Sequence, residues 1–238
     1  MHTFYVGWDS REEEAYEVCK ASLEQFDVEV IPLKHTELRD MQLFDRPWKK
    51  VGNQWWDERD EKPFSTEFAH SRFLTPILAK RQNKKGLVAF CDCDFLFLKD
   101  PKYLFEECQG DKAIWTVRFN MVAEGLKMDN VIQQYYARKL WSSLMIFNLD
   151  SLANRRYSEV DVNYRSGTFL HGFQWLSNED MGALDPLWNY VPGISSPPSC
   201  EPWAIHWSLG GPWMKGYDDQ EYANLWKSEA KRLNVILK

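Results

Sequence analysis

No stretch of this chain is long and apolar enough to form a membrane-spanning helix. Basic charge is not in excess either: 29 Lys and Arg stand against 35 Asp and Glu, a formal net charge of −6. A general nucleic-acid binder would carry a basic footprint, so that class is set aside. Cysteine is sparse, at Cys19, Cys91, Cys93, Cys108 and Cys200. An odd number without paired spacing fits a reducing compartment better than a disulfide framework. Cys91 and Cys93 have no second Cys pair or Cys/His cluster to complete a soft-metal site, and they read as small core residues. The dinucleotide fingerprint G-x-G-x-x-G is absent, as are internal repeats and low-complexity tracts. The segment 1–6 starts straight into a strand pattern with no signal-peptide character, so the expected location is cytoplasmic.

With 238 residues, 44% of them hydrophobic and 27% charged, the chain can bury a sizeable core as one α/β domain or two small ones. The reading favoured is one mixed, mostly parallel sheet flanked by helices, with 1–120 as a nucleotide-binding half and 121–238 as an acceptor half. Twelve tryptophans are an unusual number. Many neighbour polar residues, as rings lining a sugar- or base-binding cleft would, although large aromatics also fill cores.

Residues 2–6 form a β-type run that leads into Gly7-Trp8-Asp9-Ser10-Arg11-Glu12. Asp9 or Ser10 is placed to cap the next helix, whose first turn is acidic as the helix dipole favours. A second strand over 28–33 completes a βαβ opening, and open α/β sheets bind ligands at the carboxyl ends of their strands. Asp9 is therefore either a cap or a group facing a nucleotide. The stretch 36–62 has little periodicity and reads as a loop or short helices covering a site. A helix is expected over 63–79 with Pro76 as a kink. Arg72 interrupts its apolar face, which suggests a carboxylate or phosphate partner, or a guanidinium reaching to solvent. Further strands are expected over 113–117 and 141–148, a helix near 152–157, and an amphipathic helix over 218–237. The lysines of that last helix leave room for contact with an acidic membrane surface, though a solvated face is the plainer reading.

The strongest chemical signal is Cys91-Asp92-Cys93-Asp94. The apolar strand 87–90 ends in two carboxylates one residue apart. Carboxylates beside a core are costly unless paired, and like charges this close raise each other's pKa. Oxygen-liganded Mg²⁺ or Mn²⁺ resolves both problems. The alternative is a strand-end turn whose Asp side chains cap backbone N–H groups.

These stretches, namely 5–12, 65–74, 91–94, 138–148, 173–176 and 206–213, occur together in an order that resembles the GT-A nucleotide-sugar glycosyltransferases. The chain is similar in particular to small bacterial, phage and chlorovirus glycosyltransferases of that fold. The resemblance implies that Asp92, Asp94 and His206 hold Mn²⁺ or Mg²⁺ against a donor diphosphate. It implies that Tyr5, Gly7, Trp8, Asp9 and Arg11 line the nucleotide pocket and that Arg72 approaches the donor. A wider likeness to the retaining galactosyltransferase and glycogenin-type family extends to Glu179 and Asp180, an acidic pair that faces the donor sugar there. Those enzymes carry a lysine just before the Pro-Trp of the histidine motif. Here Gly211 stands in its place, which removes a phosphate contact or moves it to Lys215.

The implied partners are a nucleoside-diphosphate sugar, with UDP favoured, and a saccharide acceptor. The chemistry asks for positive charge on the leaving diphosphate, from a cation and from Arg72, with Lys139 or Lys215 in support. Glu179 or Asp180 is expected at the anomeric carbon, unless Asp180 merely caps a helix starting at Met181. Trp141 stacks on a sugar face or packs in the core; Ser142 bonds a sugar hydroxyl or finishes a strand. Two other classes remain in view: a nucleotidyltransferase, which also uses nearby carboxylates and Mg²⁺, and a carbohydrate-binding module with structural Ca²⁺.

Overall fold

A computed structural model describes residues 1–52, 54–119 and 138–236. The chain opens with β1 (Thr3–Gly7), α1 (Glu13–Glu24) and β2 (Glu29–Leu33), the expected βαβ unit. Every residue of β1 is buried, the pattern of a parallel strand covered on both faces. Glu12, rather than Asp9 or Ser10, occupies the cap position of α1, and no side chain closes it. The carboxylate of Asp9 is engaged elsewhere, by Arg11 and the Glu67 amide.

After α2 (His35–Asp40) the chain forms a small antiparallel sheet, β3 (Trp48–Val51), β4 (Gln54–Asp57) and β5 (Lys62–Phe64). Over 36–62, α2 is one of the short helices expected, whereas the sheet stands where loop or further helices were expected over 48–62. Trp48 explains the strands: its ring stacks on Trp55 at 5.4 Å and on Phe64 at 5.1 Å, tying all three together. The helix expected over 63–79 is correspondingly divided. Pro63 and Phe64 belong to β5, a 3₁₀ turn spans Ser71–Leu74, and α3 covers Thr75–Arg81. Pro76 lies in the first turn of α3, where its missing N–H costs nothing, and it makes no kink.

The remaining elements are β6 (Leu87–Cys91), β7 (Phe95–Phe97), α4 (Lys102–Glu106), β8 (Ile114–Val117), β9 (Leu144–Asn148), α5 (Leu152–Arg155), α6 (Glu159–Tyr164), α7 (Gly167–His171), β10 (Met181–Leu184), β11 (Ala204–His206) and α8 (Ala223–Arg232). Met181 starts a strand, so Asp180 is not a helix cap. The helix expected over 218–237 is the shorter α8, and Leu237 lies outside the described residues. No helix among the described residues is long and apolar enough to cross a membrane.

Six strands form one sheet in the order β10-β8-β9-β6-β1-β2. The β1/β2, β1/β6 and β8/β10 pairs are parallel, and β9 runs antiparallel to both its neighbours. The expected division at 120/121 falls outside the described residues. Strands from both sides of it share the sheet. A second, two-stranded sheet pairs β7 with β11. Trp188, Trp207 and Trp226 are fully buried, so several tryptophans serve the core.

Candidate metal and donor site

The site begins where β6 runs out. Cys91 and Cys93 turn inward and are fully buried, which leaves Asp92 and Asp94 on the opposite side of the chain. The side chains of Asp92 and Asp94 are 14% and 16% exposed. The strand then reverses into β7, whose pairing with β11 puts His206 opposite Phe95. The imidazole lies flat on the Phe95 ring, with centroids 4.4 Å apart and planes at 12°. Its Nε2 stands 3.3 Å from Asp94 Oδ1. Asp92, Asp94 and His206 each offer a ligand atom, and these atoms all lie within 4.8 Å of one another.

Asp92 is held from two sides. Its backbone N–H donates to the Ser143 carbonyl at 2.9 Å. Arg72 donates to its Oδ1 at 2.7 Å and, from the same nitrogen, to the Ser142 carbonyl at 3.0 Å. The guanidinium is buried between the rings of Phe68 and Phe90, at 5.1 and 5.3 Å, so its partner is a carboxylate and it does not reach to solvent. The Ser142 hydroxyl faces His171 Nδ1 at 2.9 Å. His171 thus joins the wall behind Arg72, a placement that no local sequence pattern announces.

A third acid sits beside the pair. Glu12 is buried and accepts a weak hydrogen bond from the Cys93 thiol at 3.4 Å. Burial first, then the charges of Asp94 and Asp9, push its carboxyl up to about 8. The sequence flagged Glu12 only as the end of the 5–12 stretch and part of a helix start, with no role assigned to it.

Whether these residues suit a divalent cation can be judged from the donors. Two carboxylates and a neutral imidazole form a hard, oxygen-rich set of the kind Mn²⁺ or Mg²⁺ takes. His206 Nε2 is buried and makes no hydrogen bond, as a nitrogen kept for a metal would be. The residues fit the ion.

A second acidic group, Asp57, Asp60 and His70, also has ligand-like spacing. A cation of the protein's own already fills it. Arg46, 1% exposed, reaches Asp57 Oδ2 at 2.5 Å and Asp60 Oδ1 at 3.2 Å. Burial, followed by Arg46 and Arg72, holds the His70 imidazole well below its usual pKa.

Of the residues expected around the nucleotide, Gly7, Trp8, Asp9 and Arg11 lie at or just beyond the end of β1, with differing freedom. Gly7 is required by close packing, since a Cβ there would meet the Phe68 ring at 2.6 Å. Trp8 is half-buried beneath the Lys34 ammonium, 4.8 Å from its ring. Asp9 is fully buried and binds Arg11 in a fork, at 2.9 and 2.7 Å, while accepting the Glu67 amide at 3.0 Å. Arg11 itself stays 35% exposed. Tyr5 is in the core, its hydroxyl donating to Gln82 Oε1 at 2.5 Å. Trp141 is half-buried, with its indole N–H on the Phe119 carbonyl at 3.1 Å. Lys139 is buried just before it, and Lys215 is exposed. At Gly211 a Cβ would fall 2.0 Å from the Trp213 ring. The lysine of the wider family therefore cannot stand there unless that ring moves.

Glu179 and Asp180 are not at the site. Met181 pairs with Ile114, Ile114 with Phe147, and Phe147 with Val88. Asp180 is thus level with the beginning of β6, whereas Asp92 follows its end, and two strands separate β10 from β6. The Asp180 carboxylate accepts the Ser177 N–H and hydroxyl, both at 2.8 Å. Glu179 is exposed. The physical reason is that the acidic pair directly precedes β10, an edge strand parallel to β8, which puts it at the amino ends of the strands, away from the carboxyl end of β6.

Comparison with solved structures identifies the fold. WbbM, a bifunctional glycosyltransferase, superposes with a TM-score of 0.58 at 12% identity over 96% of this chain. The chain spans about half of WbbM, 49% of its length. The galactosyltransferase LgtC, solved with donor and acceptor sugar analogues, gives 0.59 at 12% identity, covering 98% of this chain and 97% of LgtC. At these identities the likeness shows the fold, which is that of the GT-A glycosyltransferases. No protein-family model matches the chain. Protein CDI of Arabidopsis thaliana is 37% identical over 238 residues, covering 97% of this chain and 86% of that protein. At that identity and coverage, the chain belongs to the family of Protein CDI.

Proposed function

We propose that this chain is a metal-dependent glycosyltransferase that moves a sugar from a nucleoside-diphosphate donor, UDP-sugar by preference, to a saccharide or other hydroxyl acceptor. The observation that carries this reading is the meeting of Asp92, Asp94 and His206 at the carboxyl end of a central strand in a GT-A fold. LgtC, of the same fold, was crystallised with donor and acceptor sugar analogues, which supports donor and acceptor classes of that kind.

Asp92, Asp94 and His206 would hold Mn²⁺ or Mg²⁺. When bound, the cation supplies positive charge that stabilises the departing diphosphate without proton transfer. Arg72 contributes by fixing the Asp92 carboxylate and by adding charge behind it. Arg11, clamped by Asp9 and partly exposed, presents a guanidinium at the carboxyl end of β1, where open α/β sheets take their ligands. Trp8 and Trp141 offer partly exposed rings for a base or sugar face. Lys139 and Lys215 are further candidates for phosphate contact. A cytoplasmic location and a role in building polysaccharide belong to the same proposal.

The test is thermal stability of the chain with UDP, with and without Mn²⁺, followed by hydrolysis of a panel of nucleotide sugars. Stabilisation by UDP that requires Mn²⁺, lost in Asp94→Ala, is expected. Stabilisation by oligosaccharide and Ca²⁺ alone would overturn the transferase reading in favour of a sugar-binding module.

A further inference from the structure

Asn189 closes the 3₁₀ turn Pro186–Asn189 and is 1% exposed, as is His206. Backbone bonds set the two side by side. Tyr190 N donates to the Ala204 carbonyl at 3.1 Å, and His206 N donates to the Tyr190 carbonyl at 2.8 Å. Their side chains meet through His206 Nδ1 and Asn189 Oδ1, 2.9 Å apart. Which atom carries the proton follows from the other end of the chain of bonds. The Ser143 hydroxyl donates to the Leu140 carbonyl at 2.7 Å, and a carbonyl can only accept. With its proton committed, Ser143 Oγ accepts from Asn189 Nδ2 at 2.8 Å. That contact orients the amide, so Oδ1 is the atom that faces the imidazole. An amide oxygen cannot donate. Nδ1 therefore bears the hydrogen, so the neutral ring is the Nδ1–H tautomer, and its Nε2 faces Asp94 Oδ1, 3.3 Å away.

We infer that Asn189 is a positioning residue, which, through Ser143, holds His206 in its Nδ1–H tautomer and so makes Nε2 a cation ligand. The inference rests on the metal reading of the site. Ser143 gives it a second consequence, because the same residue's carbonyl accepts the Asp92 amide at 2.9 Å. One residue at the mouth of β9 thus registers a carboxylate ligand and the imidazole ligand against each other. Outer partners that fix the tautomer and direction of a ligating histidine commonly alter metal affinity about 10–100-fold when removed.

The experiment is ¹⁵N–¹H long-range correlation of the histidine rings in the metal-free full chain at pH 8, with His206→Gln to assign the signals. Wild type is expected to show a protonated Nδ1 and a bare Nε2 at His206. Asn189→Leu should lose that pattern and bind Mn²⁺ about 10–100-fold more weakly. Asn189→Asp, which keeps an acceptor at the same place, should preserve the ring pattern. A protonated Nε2 in wild type overturns the inference, and so does an unchanged ring in Asn189→Leu. The wild-type spectrum needs no variant to fold. The expected ring pattern in a wild-type chain that binds no Mn²⁺ would uphold the tautomer while overturning the metal reading.

Discussion

Arg72 holds Asp92 by a 2.7 Å bond across twenty residues of sequence, and both side chains are largely buried. The guanidinium is thus the counter-charge of the Asp92 carboxylate. Replacing it leaves that carboxylate facing the other acids of the site. Arg72→Met is expected to destabilise the metal-free chain by about 3 kcal/mol, the low end for breaking a buried pair, because Asp92 keeps some access to water. Saturating Mn²⁺ should restore part of that loss, since Asp92 then has another cationic partner. Chemical denaturation with and without Mn²⁺ measures both quantities. An identical loss in the two conditions would show that Asp92 charge is not what Arg72 balances.

Asp94 faces His206 at 3.3 Å and also raises the Glu12 carboxyl. Its removal should therefore have opposite effects on binding and on the empty fold. In wild type, Mn²⁺ at a hundred times its Kd stabilises by about 2.7 kcal/mol. Asp94→Asn is expected to lose that increment and to melt no lower than wild type when metal is absent. A retained Mn²⁺ shift in this variant would remove Asp94 from the ligand set.

Glu12 offers a pH-dependent readout of the same crowding. Its folded pKa of about 8 lies above the unfolded value of 4.5. Below pH 4.5 both states are protonated and the group costs nothing. Between pH 4.5 and 8 the unfolded chain releases the proton while the native state keeps it, so stability falls as pH rises. Glu12→Gln removes the penalty. The variant should melt above wild type at pH 8, by about 2–4 °C for each kcal/mol relieved in a chain of this size, with the gap closing toward pH 4.5. Melting curves at three pH values decide this; a gap independent of pH would mean that Glu12 is already neutralised by a partner.

The sequence makes Asp92 and Asp94 visible because an apolar strand seldom ends in two carboxylates without reason. His206 becomes a ligand candidate only through resemblance, since its pairing with Phe95 spans more than a hundred residues and leaves no local trace. Asn189 and Ser143 look like ordinary polar residues in a turn and at a strand entry; their role exists only once β7 and β11 have paired. The sheet of β3, β4 and β5 was hidden by charge, as lysines at 49 and 50 break the alternation that Trp48 and Trp55 would otherwise display. Glu179 and Asp180 illustrate the opposite error. The wider family resemblance implied chemistry there, but which end of a strand a motif occupies is decided by strand direction, and β10 runs parallel to β8.

Arg46 shows how a buried charge can be structural where the sequence offers no hint of it. Besides its hydrogen bond to Asp57 and its ion pair with Asp60, it donates to the Val162 carbonyl at 3.0 Å and the Arg165 carbonyl at 2.6 Å. It thereby joins the β3–β4 hairpin to α6. A guanidinium reaches four acceptors because its donors are fanned in a plane, which a lysine ammonium on a single stem cannot match. Arg46→Met removes the cation between Asp57 and Asp60 and the donor to two carbonyls, and about 3–5 kcal/mol of stability should be lost. Arg46→Lys should recover only a minor part of it. Equilibrium denaturation of the two variants gives the comparison. If lysine restored full stability, charge alone would suffice and the forked geometry would be dispensable.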